Sequence, residues 1–225
     1  MDYAADLLTT GDFAVDIGAN VGDVTKLYAG IVGVTGRVLA FEPHPICFNT
    51  LCDETHPYPQ VVAQQIAVAD RHGSRPFYAD SGDSKRSSLY ADNVIQMGES
   101  YGTTTDTLDR LLSRYRAHYP KLIKVDAQGA EPEILRGATD ILDAGQSVWF
   151  LEIWPVGIWN AHGQLEDVIA PFESRGYTVD GGWDDVRARA SRVSQRAHKS
   201  IDVMIRPKGQ EGWGSSLDII ATPRP

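Results

Sequence analysis

A glycine-containing turn between an apolar segment and an amphipathic one constrains the fold of this chain most strongly. Residues 13–17 have the apolar character of a short buried strand, and apolar residues recur at helical spacing over 24–32. The turn that joins them is Asp16-Ile17-Gly18-Ala19-Asn20-Val21-Gly22. A second apolar segment, 38–41, ends at Glu42, the separation at which an acidic residue on the next strand accepts hydrogen bonds from ribose hydroxyls. The pattern predicts the nucleotide-binding edge of an α/β sheet.

The turn departs from the G-x-G-x-x-G pattern of dinucleotide-binding loops. Asn20 and Asp23 stand where that pattern has glycine, so backbone amides are poorly exposed to a pyrophosphate and negative charge is added at the helix start. S-adenosylmethionine has a ribose and an adenine but no phosphate, and its ammonium and carboxylate suit a turn flanked by Asp16 and Asn20. We therefore expect S-adenosylmethionine, bound by Asp16, Gly18, Asn20 and Glu42, rather than NAD or FAD.

Several short motifs along the chain occur in a recognisable order. They are Asp16 to Gly22, Ala40-Phe41-Glu42-Pro43, Ala67-Val68-Ala69-Asp70, Ser87-Ser88-Leu89, Thr107-Leu108-Asp109, Ile123-Lys124-Val125-Asp126-Ala127-Gln128-Gly129-Ala130-Glu131 and Leu135-Arg136-Gly137-Ala138. Over residues 13–153 the chain resembles the FkbM-like family of S-adenosylmethionine-dependent methyltransferases. Gln128 departs from that family, which often has Glu there; a charge is lost and hydrogen-bonding capacity is kept. The resemblance implies methylation of hydroxyl groups on sugars or natural products, with Ala67 in the cofactor site.

Strand-like and helix-like segments alternate along the chain. This alternation predicts a mostly parallel sheet with helices on both faces, and the resemblance narrows it to the Rossmann-like, seven-stranded class I methyltransferase fold with an antiparallel terminal hairpin. We expect a strand over 61–68 and one domain over 1–208. Insertions near 71–105, read as a short hairpin and a loop, and near 181–200 interrupt that domain. The tail over 209–225 is expected to be partly disordered or a peripheral strand.

The composition indicates an acidic, soluble enzyme. A chain of 225 residues can bury a sizeable core. Its formal net charge of −9 argues against broad binding to nucleic acid or anionic membrane, because both require a basic surface. The sequence shows no signal-peptide pattern and no apolar run long enough to cross a bilayer, so we expect a cytoplasmic protein. Cys47 and Cys52 lie five residues apart on a predicted helix that begins at Pro45, and we expect two unpaired thiols on different faces.

Candidate catalytic groups follow the predicted strands, where an open α/β sheet leaves its crevice. Asp126 is the first candidate for a general base or acceptor-orienting group; the alternative is a carboxylate that caps the turn at Gly129. Glu152 has two possible roles, in acceptor binding or in turn structure. His162, in a loop, is either a general base or a solvated side chain. A magnesium ion between Asp126 and Glu152 would lack a clear third ligand, so we predict no metal.

Aromatic and basic residues are candidates for acceptor binding. Trp154 and Trp159 can stack on a sugar or aromatic acceptor, or pack in the core or a lid. The segment 181–199 combines two glycines with Trp183, Arg189 and Arg192. These features suit a mobile lid that closes on a polar or anionic acceptor; the alternative is a solvated helix whose arginines are surface charge.

The expected function is O-methylation of a small hydroxylated molecule. Three alternatives stay open: an RNA ribose O-methyltransferase that uses the arginine-rich segment, an interaction module that binds the cofactor without turnover, and a nucleotide-dependent oxidoreductase. The acidic charge disfavours the first, and the residues Asn20 and Asp23 disfavour the last. The acceptor and the oligomeric state do not follow from the sequence.

Overall fold

The computed structural model describes residues 3–113, 119–193 and 199–208. The strands are β1 (Phe13–Ile17), β2 (Arg37–Phe41), β3 (Val61–Gln64), β4 (Ala67–Val68), β5 (Gly73–Asp80), β6 (Met97–Asp106), β7 (Leu122–Val125), β8 (Val148–Ile153), β9 (Thr178–Val179) and β10 (Ile201–Arg206). The helices are α1 (Tyr3–Leu7), α2 (Asp23–Val32), α3 (Pro45–Thr55), α4 (Leu108–Leu112), α5 (Glu131–Arg136), α6 (Thr139–Ala144), α7 (Pro155–Asn160), α8 (Glu166–Glu173) and α9 (Trp183–Val193). Two 3-10 turns span Ser84–Arg86 and Ala91–Asn93.

Seven strands form the main sheet in the order β3-β2-β1-β7-β8-β10-β9. The first five strands in this order, β3, β2, β1, β7 and β8, are parallel. β10 runs antiparallel to both of its neighbours, β8 and β9. The predicted fold class is confirmed. Because the strand order reverses at β1, the crevice for a ligand lies beside the carboxyl end of that strand.

The register of the central strands brings three predicted site residues to one edge. Ile17, the last residue of β1, pairs with Phe41 of β2 on one side and with Val125 of β7 on the other. Since all three strands end at the same level, the residues that follow them, Gly18, Glu42 and Asp126, lie at the same edge of the sheet.

Alternate residues of β1 pack into two different hydrophobic layers. Phe13, Val15 and Ile17 belong to the larger core cluster, whereas Ala14 belongs to a second cluster with α1 and α2. All five residues of β1 are buried, as expected of a central parallel strand covered on both faces.

A second sheet corrects two expectations. The segment 61–68, expected as one strand, turns at Gln64, where the backbone N–H of Ile66 donates to the Gln64 carbonyl. β3 stays in the main sheet, while β4 joins β5 and β6 in a three-stranded sheet of order β4-β6-β5. The hairpin of the 71–105 insertion is therefore longer than predicted. Its Ser- and Thr-rich composition is typical of a loop. This composition occurs in a strand here because most residues of β6 are exposed to solvent.

The remaining elements follow the sequence more closely. α3 begins at Pro45; Cys47 is buried, Cys52 is exposed, and both are free thiols, as predicted. The 181–200 insertion contains α9, and residues 194–198 and the 209–225 tail lie outside the described residues. None of the helices in the described ranges has the length and apolar character needed to cross a bilayer.

Asp80 organises the connection between β5 and β6. Its buried carboxylate accepts hydrogen bonds at 2.8–3.1 Å from four backbone N–H groups, those of Gly82, Asp83, Ile95 and Gln96. Burial acts to raise the pKa of Asp80, but these four donors outweigh it and hold the pKa below its ordinary value. The loop is therefore folded around one carboxylate, whose stabilising effect is present at neutral pH and is lost on acidification.

We expect Asp80→Ala to lower the free energy of unfolding by about 2–3 kcal/mol, since hydrogen bonds to charged groups are worth about 1.5–3 kcal/mol. Urea unfolding measures the effect. Asp92→Ala is the matched control, because Asp92 is exposed in the same loop; its effect should stay within about 0.5 kcal/mol. Equal stability of the two variants would contradict the role given to Asp80.

Candidate active site

A pocket opens at the edge where β1, β2 and β7 end. It encloses about 610 Å³, counting its open mouth. The residues that line it are Ile17, Gly18, Asn20, Phe41, Glu42, Pro43, Ile66, Ala67, Val68, Phe77, Ser84, Lys85, Ser87, Leu89, Asp126, Ala127, Gln128 and Ala130. Among the predicted site residues, the structure brings together Gly18, Asn20, Glu42, Ala67 and Asp126.

Gly18 is required by the protein's own backbone. Its φ of +75° lies in the left-handed region, and a Cβ at this position would stand 1.9 Å from the backbone oxygen of Asp126. The glycine thus allows the loop after β1 to lie directly against the loop after β7. A side chain here would separate the two walls of the pocket.

The backbone amides of the glycine loop are already engaged. The N–H groups of Gly18 and Ala19 both donate to the carbonyl of Phe41, and the N–H of Asn20 donates to Oε2 of Glu42 at 2.7 Å. Amides that are already hydrogen-bonded within the protein are less available to a pyrophosphate. That the loop does not bind NAD or FAD stays a prediction.

Glu42 is a buried carboxylate with acceptor capacity to spare. Its two oxygens accept from the backbone N–H groups of Asn20 and His44, at 2.7 and 2.8 Å, and each oxygen has a second lone pair. Burial, with a smaller contribution from the negative charge of Asp16, raises the pKa of Glu42 to about 7. The residue can therefore change its charge near neutral pH.

Asp16 lies beneath the pocket rather than in its wall. It is fully buried, and its Oδ2 accepts from the hydroxyl of Thr25 on α2 at 2.7 Å. Its Oδ1 lies 3.3 Å from Nζ of Lys124, which is also 3.4 Å from the Gly18 carbonyl oxygen and 3.6 Å from Oδ2 of Asp126. Asp16 supports the loop from below through this buried lysine.

Lys124 belongs to the motif from Ile123 to Glu131, but its role in the site was not predicted from the sequence. Its side chain is only 9% exposed and lies between Asp16 and Asp126. The available signal was a lysine within the otherwise apolar strand β7, since a buried ammonium requires carboxylate partners.

Asp126 is held from two sides. Gln128 donates from Nε2 to Oδ1 of Asp126 at 2.8 Å, and Lys124 faces Oδ2. Gln128 has a φ of +50°, an unusual conformation for a residue other than glycine. Its carbonyl accepts from the Ser88 hydroxyl at 2.9 Å and from the Asn93 side chain at 2.8 Å. The 71–105 insertion thereby fixes the loop that orients Asp126.

Glu131 performs the capping role considered for Asp126. Its Oε1 accepts from the backbone N–H groups of Ala127 and Gly129, at 3.1 and 3.3 Å. Burial, with a smaller contribution from the charge of Asp126, raises the pKa of Glu131 to about 7. The Asp126 carboxylate contacts Gln128 and Lys124 instead, and Asp126 lines the pocket.

The segment 84–89 borders the pocket between the two loops, and here it is termed the strap. At one end, Asn20 donates from Nδ2 to the Ser84 hydroxyl oxygen at 3.3 Å. At the other end, the Ser88 hydroxyl reaches the Gln128 carbonyl. Sequence reasoning did not place Ser84, Lys85 or Leu89 in the site, although the Ser87-Ser88-Leu89 motif was a signal for it.

The other two predicted catalytic residues and two of the tryptophans do not line the pocket. Glu152 accepts from the Ser200 hydroxyl at 2.7 Å, and His162 is exposed with a φ of +62°. Trp154 is buried against Gly157, whereas Trp159 is 73% exposed near the end of α7. Their catalytic and acceptor-binding roles stay predictions.

The predicted lid residues lie on a helix attached to the domain. Trp183 donates from its indole N–H to the Tyr177 carbonyl at 3.1 Å and stacks on Phe172 with ring centroids 6.3 Å apart. Arg189 donates to the Asp202 carbonyl at 2.9 Å, and Arg192 is exposed. None of the three lid residues lines the pocket, so the arrangement shown here is that of a packed helix; a lid movement stays a prediction.

Within residues 3–113, 119–193 and 199–208, no group of three or more His, Cys, Asp or Glu side chains is arranged to hold a metal ion.

Comparison with known proteins decides the family. The family model of the methyltransferase FkbM domain matches residues 16–179, which include the glycine loop, Glu42 and the Asp126 loop. The chain belongs to the FkbM methyltransferase family. It is a methyltransferase with the Rossmann-like fold of the class I enzymes, as the motif order predicted.

Individual relatives of this FkbM-family methyltransferase agree. The methyltransferase sdnD of Sordaria araneosa is 27% identical over 216 residues, covering 79% of each chain. The hexuronic acid methyltransferase AglP of Haloferax volcanii is 30% identical over 143 residues, which are 62% of this chain and 54% of that protein. An rRNA methylase from Streptococcus thermophilus superimposes with a TM-score of 0.51 at 15% identity, covering 92% of both chains; this likeness shows the fold alone.

Proposed function

We propose that this methyltransferase uses S-adenosylmethionine and methylates a hydroxyl oxygen of a sugar or small natural product. The observation that carries the proposal is the placement of two carboxylates, Glu42 and Asp126, in one pocket at the ends of the strands that flank β1. One carboxylate suits the ribose of the cofactor, and the other suits the acceptor.

The pocket lining fits the parts of this cofactor. The spare lone pairs of Glu42 can accept hydrogen bonds from ribose hydroxyls. Phe41, Ile66 and Val68 provide apolar surface for the adenine.

The catalytic task of the protein is to align a hydroxyl and receive its proton. When bound, S-adenosylmethionine supplies a methyl group activated by its sulfonium. Gln128 fixes Oδ1 of Asp126 by a hydrogen bond, so Oδ2 is the atom we assign to orienting the acceptor hydroxyl and accepting its proton. Lys124, 3.6 Å from Oδ2, holds the carboxylate in place.

Two features support a carbohydrate acceptor. The relative from Haloferax volcanii is named for a hexuronic acid, although this chain spans only about half of its length. Trp159 offers an exposed aromatic ring on α7. This helix lies next to the Asp126 loop, because the Asn93 side chain donates hydrogen bonds to the carbonyls of both Gly157 and Gln128. An exposed aromatic ring on the helix next to the Asp126 loop can stack on the apolar face of a sugar.

The proposal is tested by incubating the protein with S-adenosylmethionine carrying a labelled methyl group and a panel of hydroxylated acceptors. Mass spectrometry and NMR should locate the label on an oxygen of a sugar or natural product. Label on nitrogen or carbon would contradict O-methylation. Cofactor binding without transfer across the panel would favour a silent interaction module.

The raised pKa of Glu42 predicts how cofactor binding depends on pH. The ionised carboxylate is the stronger acceptor for ribose hydroxyls, and with a pKa of about 7 it forms as the pH rises from 6 to 8. The affinity for S-adenosylhomocysteine should rise by up to about tenfold over that range, since one ionisation is linked to binding. Calorimetry at several pH values measures it.

Glu42→Gln is the control for this pH dependence, because it keeps the shape and removes the ionisation. Asp16, Lys124 and Glu131 remain in that variant, so any dependence they cause survives. A profile that is unchanged in Glu42→Gln would assign the ionisation to another group.

A further inference from the structure

Lys85 is the lining residue that carries a positive charge. Among the described residues of the pocket wall, it is the only Lys or Arg. The acidic residues of the same wall are Glu42 and Asp126, and Asp16 lies just behind it. A ligand that brings its own carboxylate to this pocket therefore meets two acidic side chains and one positive side chain.

Several backbone amides of the two loops beside the pocket are already hydrogen-bonded within the protein. The amides of Gly18 and Ala19 donate to Phe41, and the amide of Asn20 donates to Glu42. On the opposite loop, the amides of Ala127 and Gly129 donate to Glu131. These backbone N–H groups are thus unavailable for a ligand carboxylate, and the ammonium of Lys85 is a donor that remains.

The backbone of Lys85 is fixed while its ammonium is unpaired within the described ranges. Its N–H donates to Oδ1 of Asp83 at 3.1 Å, and the neighbouring Ser84 is bonded to Asn20. Arg86 pairs with Asp83 at 3.5 Å, but the exposed Lys85 side chain has no carboxylate partner in the described parts of the chain. A fixed backbone with a flexible stem and an unpaired ammonium suits binding of a carboxylate that arrives with the ligand.

We propose that Lys85 binds a ligand carboxylate at the mouth of this pocket. The inference rests on the proposed function, which offers two sources of that group: the amino-acid end of S-adenosylmethionine, or an acidic sugar as the methyl acceptor. In either case Lys85 determines specificity by compensating for the acidic wall.

Two pairs of probes separate the sources. S-adenosylhomocysteine is compared with its decarboxylated analogue, which keeps the amine and lacks only the carboxylate. Methyl glucuronide is compared with methyl glucoside, which lacks the acid. Binding of all four to the full chain, Lys85→Gln and Arg86→Gln is measured by calorimetry or ligand-observed NMR. Arg86→Gln is the matched control, because it removes an adjacent positive charge that does not line the pocket.

If the cofactor is the source, Lys85→Gln weakens S-adenosylhomocysteine roughly threefold to tenfold, the range between an exposed ion pair and a charged hydrogen bond, and leaves its decarboxylated analogue unchanged. If the acceptor is the source, the same selective loss falls on methyl glucuronide. Added salt reduces the difference in both cases. Arg86→Gln binds all probes like the parent protein.

The proposal is overturned if Lys85→Gln shows no carboxylate-dependent loss in either pair, or if Arg86→Gln shows the same loss. Failure of the proposed function has a different signature: the parent protein then binds neither S-adenosylhomocysteine nor its analogue. In that event Lys85 is judged on the two sugars alone.

Discussion

Asp126→Asn should lower turnover by roughly a hundredfold or more, the contribution typical of a positioned acid or base. The substitution keeps the size of the side chain. It removes the carboxylate, which faces Lys124 and is assigned to receive the acceptor's proton. Affinity for S-adenosylhomocysteine should change far less, because Glu42, on the other side of Gly18, is assigned to the ribose. Steady-state kinetics and calorimetry on the same preparation separate the two effects.

The competing candidates are tested beside it. Glu152→Gln preserves the contact with Ser200, and His162→Ala removes an exposed loop side chain. Both variants should keep near-normal turnover because neither residue lines the pocket. A large loss in either of them, with Asp126→Asn close to the parent, would transfer the catalytic role.

Glu42→Ala should weaken binding of S-adenosylhomocysteine by tenfold or more. Loss of hydrogen bonds to a charged group costs about 1.5–3 kcal/mol, and the substitution also leaves the backbone N–H groups of Asn20 and His44 without their acceptor. Glu42→Gln, which retains one side-chain oxygen, should fall between the parent and Glu42→Ala. Unchanged affinity in both variants, with the fold verified by circular dichroism, would defeat the assignment.

Gly18 is a less useful probe of the same question. A Cβ at Gly18 would stand 1.9 Å from the Asp126 backbone oxygen, so Gly18→Val would disturb the contact between two strands as well as the ligand. Weaker binding by Gly18→Val would therefore not distinguish loss of the cofactor site from loss of the fold.

The sequence predicted the parts of the site that follow strands. A glycine, a glutamate and an aspartate at the ends of apolar segments were sufficient to predict where the pocket lies, because parallel strands in register bring their carboxyl ends to one edge of the sheet. Lys124 and Glu131 could not be given their roles in this way. Their roles depend on which carboxylate or amide a buried side chain contacts, and that is decided by tertiary packing.

The strap and α9 are two segments whose contacts in the fold could not be predicted from local sequence. The polar 71–105 segment resembled a loop, yet Asp80 folds it around one carboxylate and places Ser84 and Lys85 at the pocket. The 181–199 segment resembled a lid because of its glycines, Trp183 and arginines. In the structure Trp183 and Arg189 attach α9 to the domain, and a lid movement stays a prediction. Composition alone does not say which polar side chains find partners within the fold.

The most direct test of the central claim is a crystal structure of the protein with S-adenosylhomocysteine. We expect the ribose hydroxyls to donate to the carboxylate of Glu42 and the sulfur end of the ligand to lie on the side of Asp126. A ligand bound outside this pocket, or a ribose with no contact to Glu42, would contradict it.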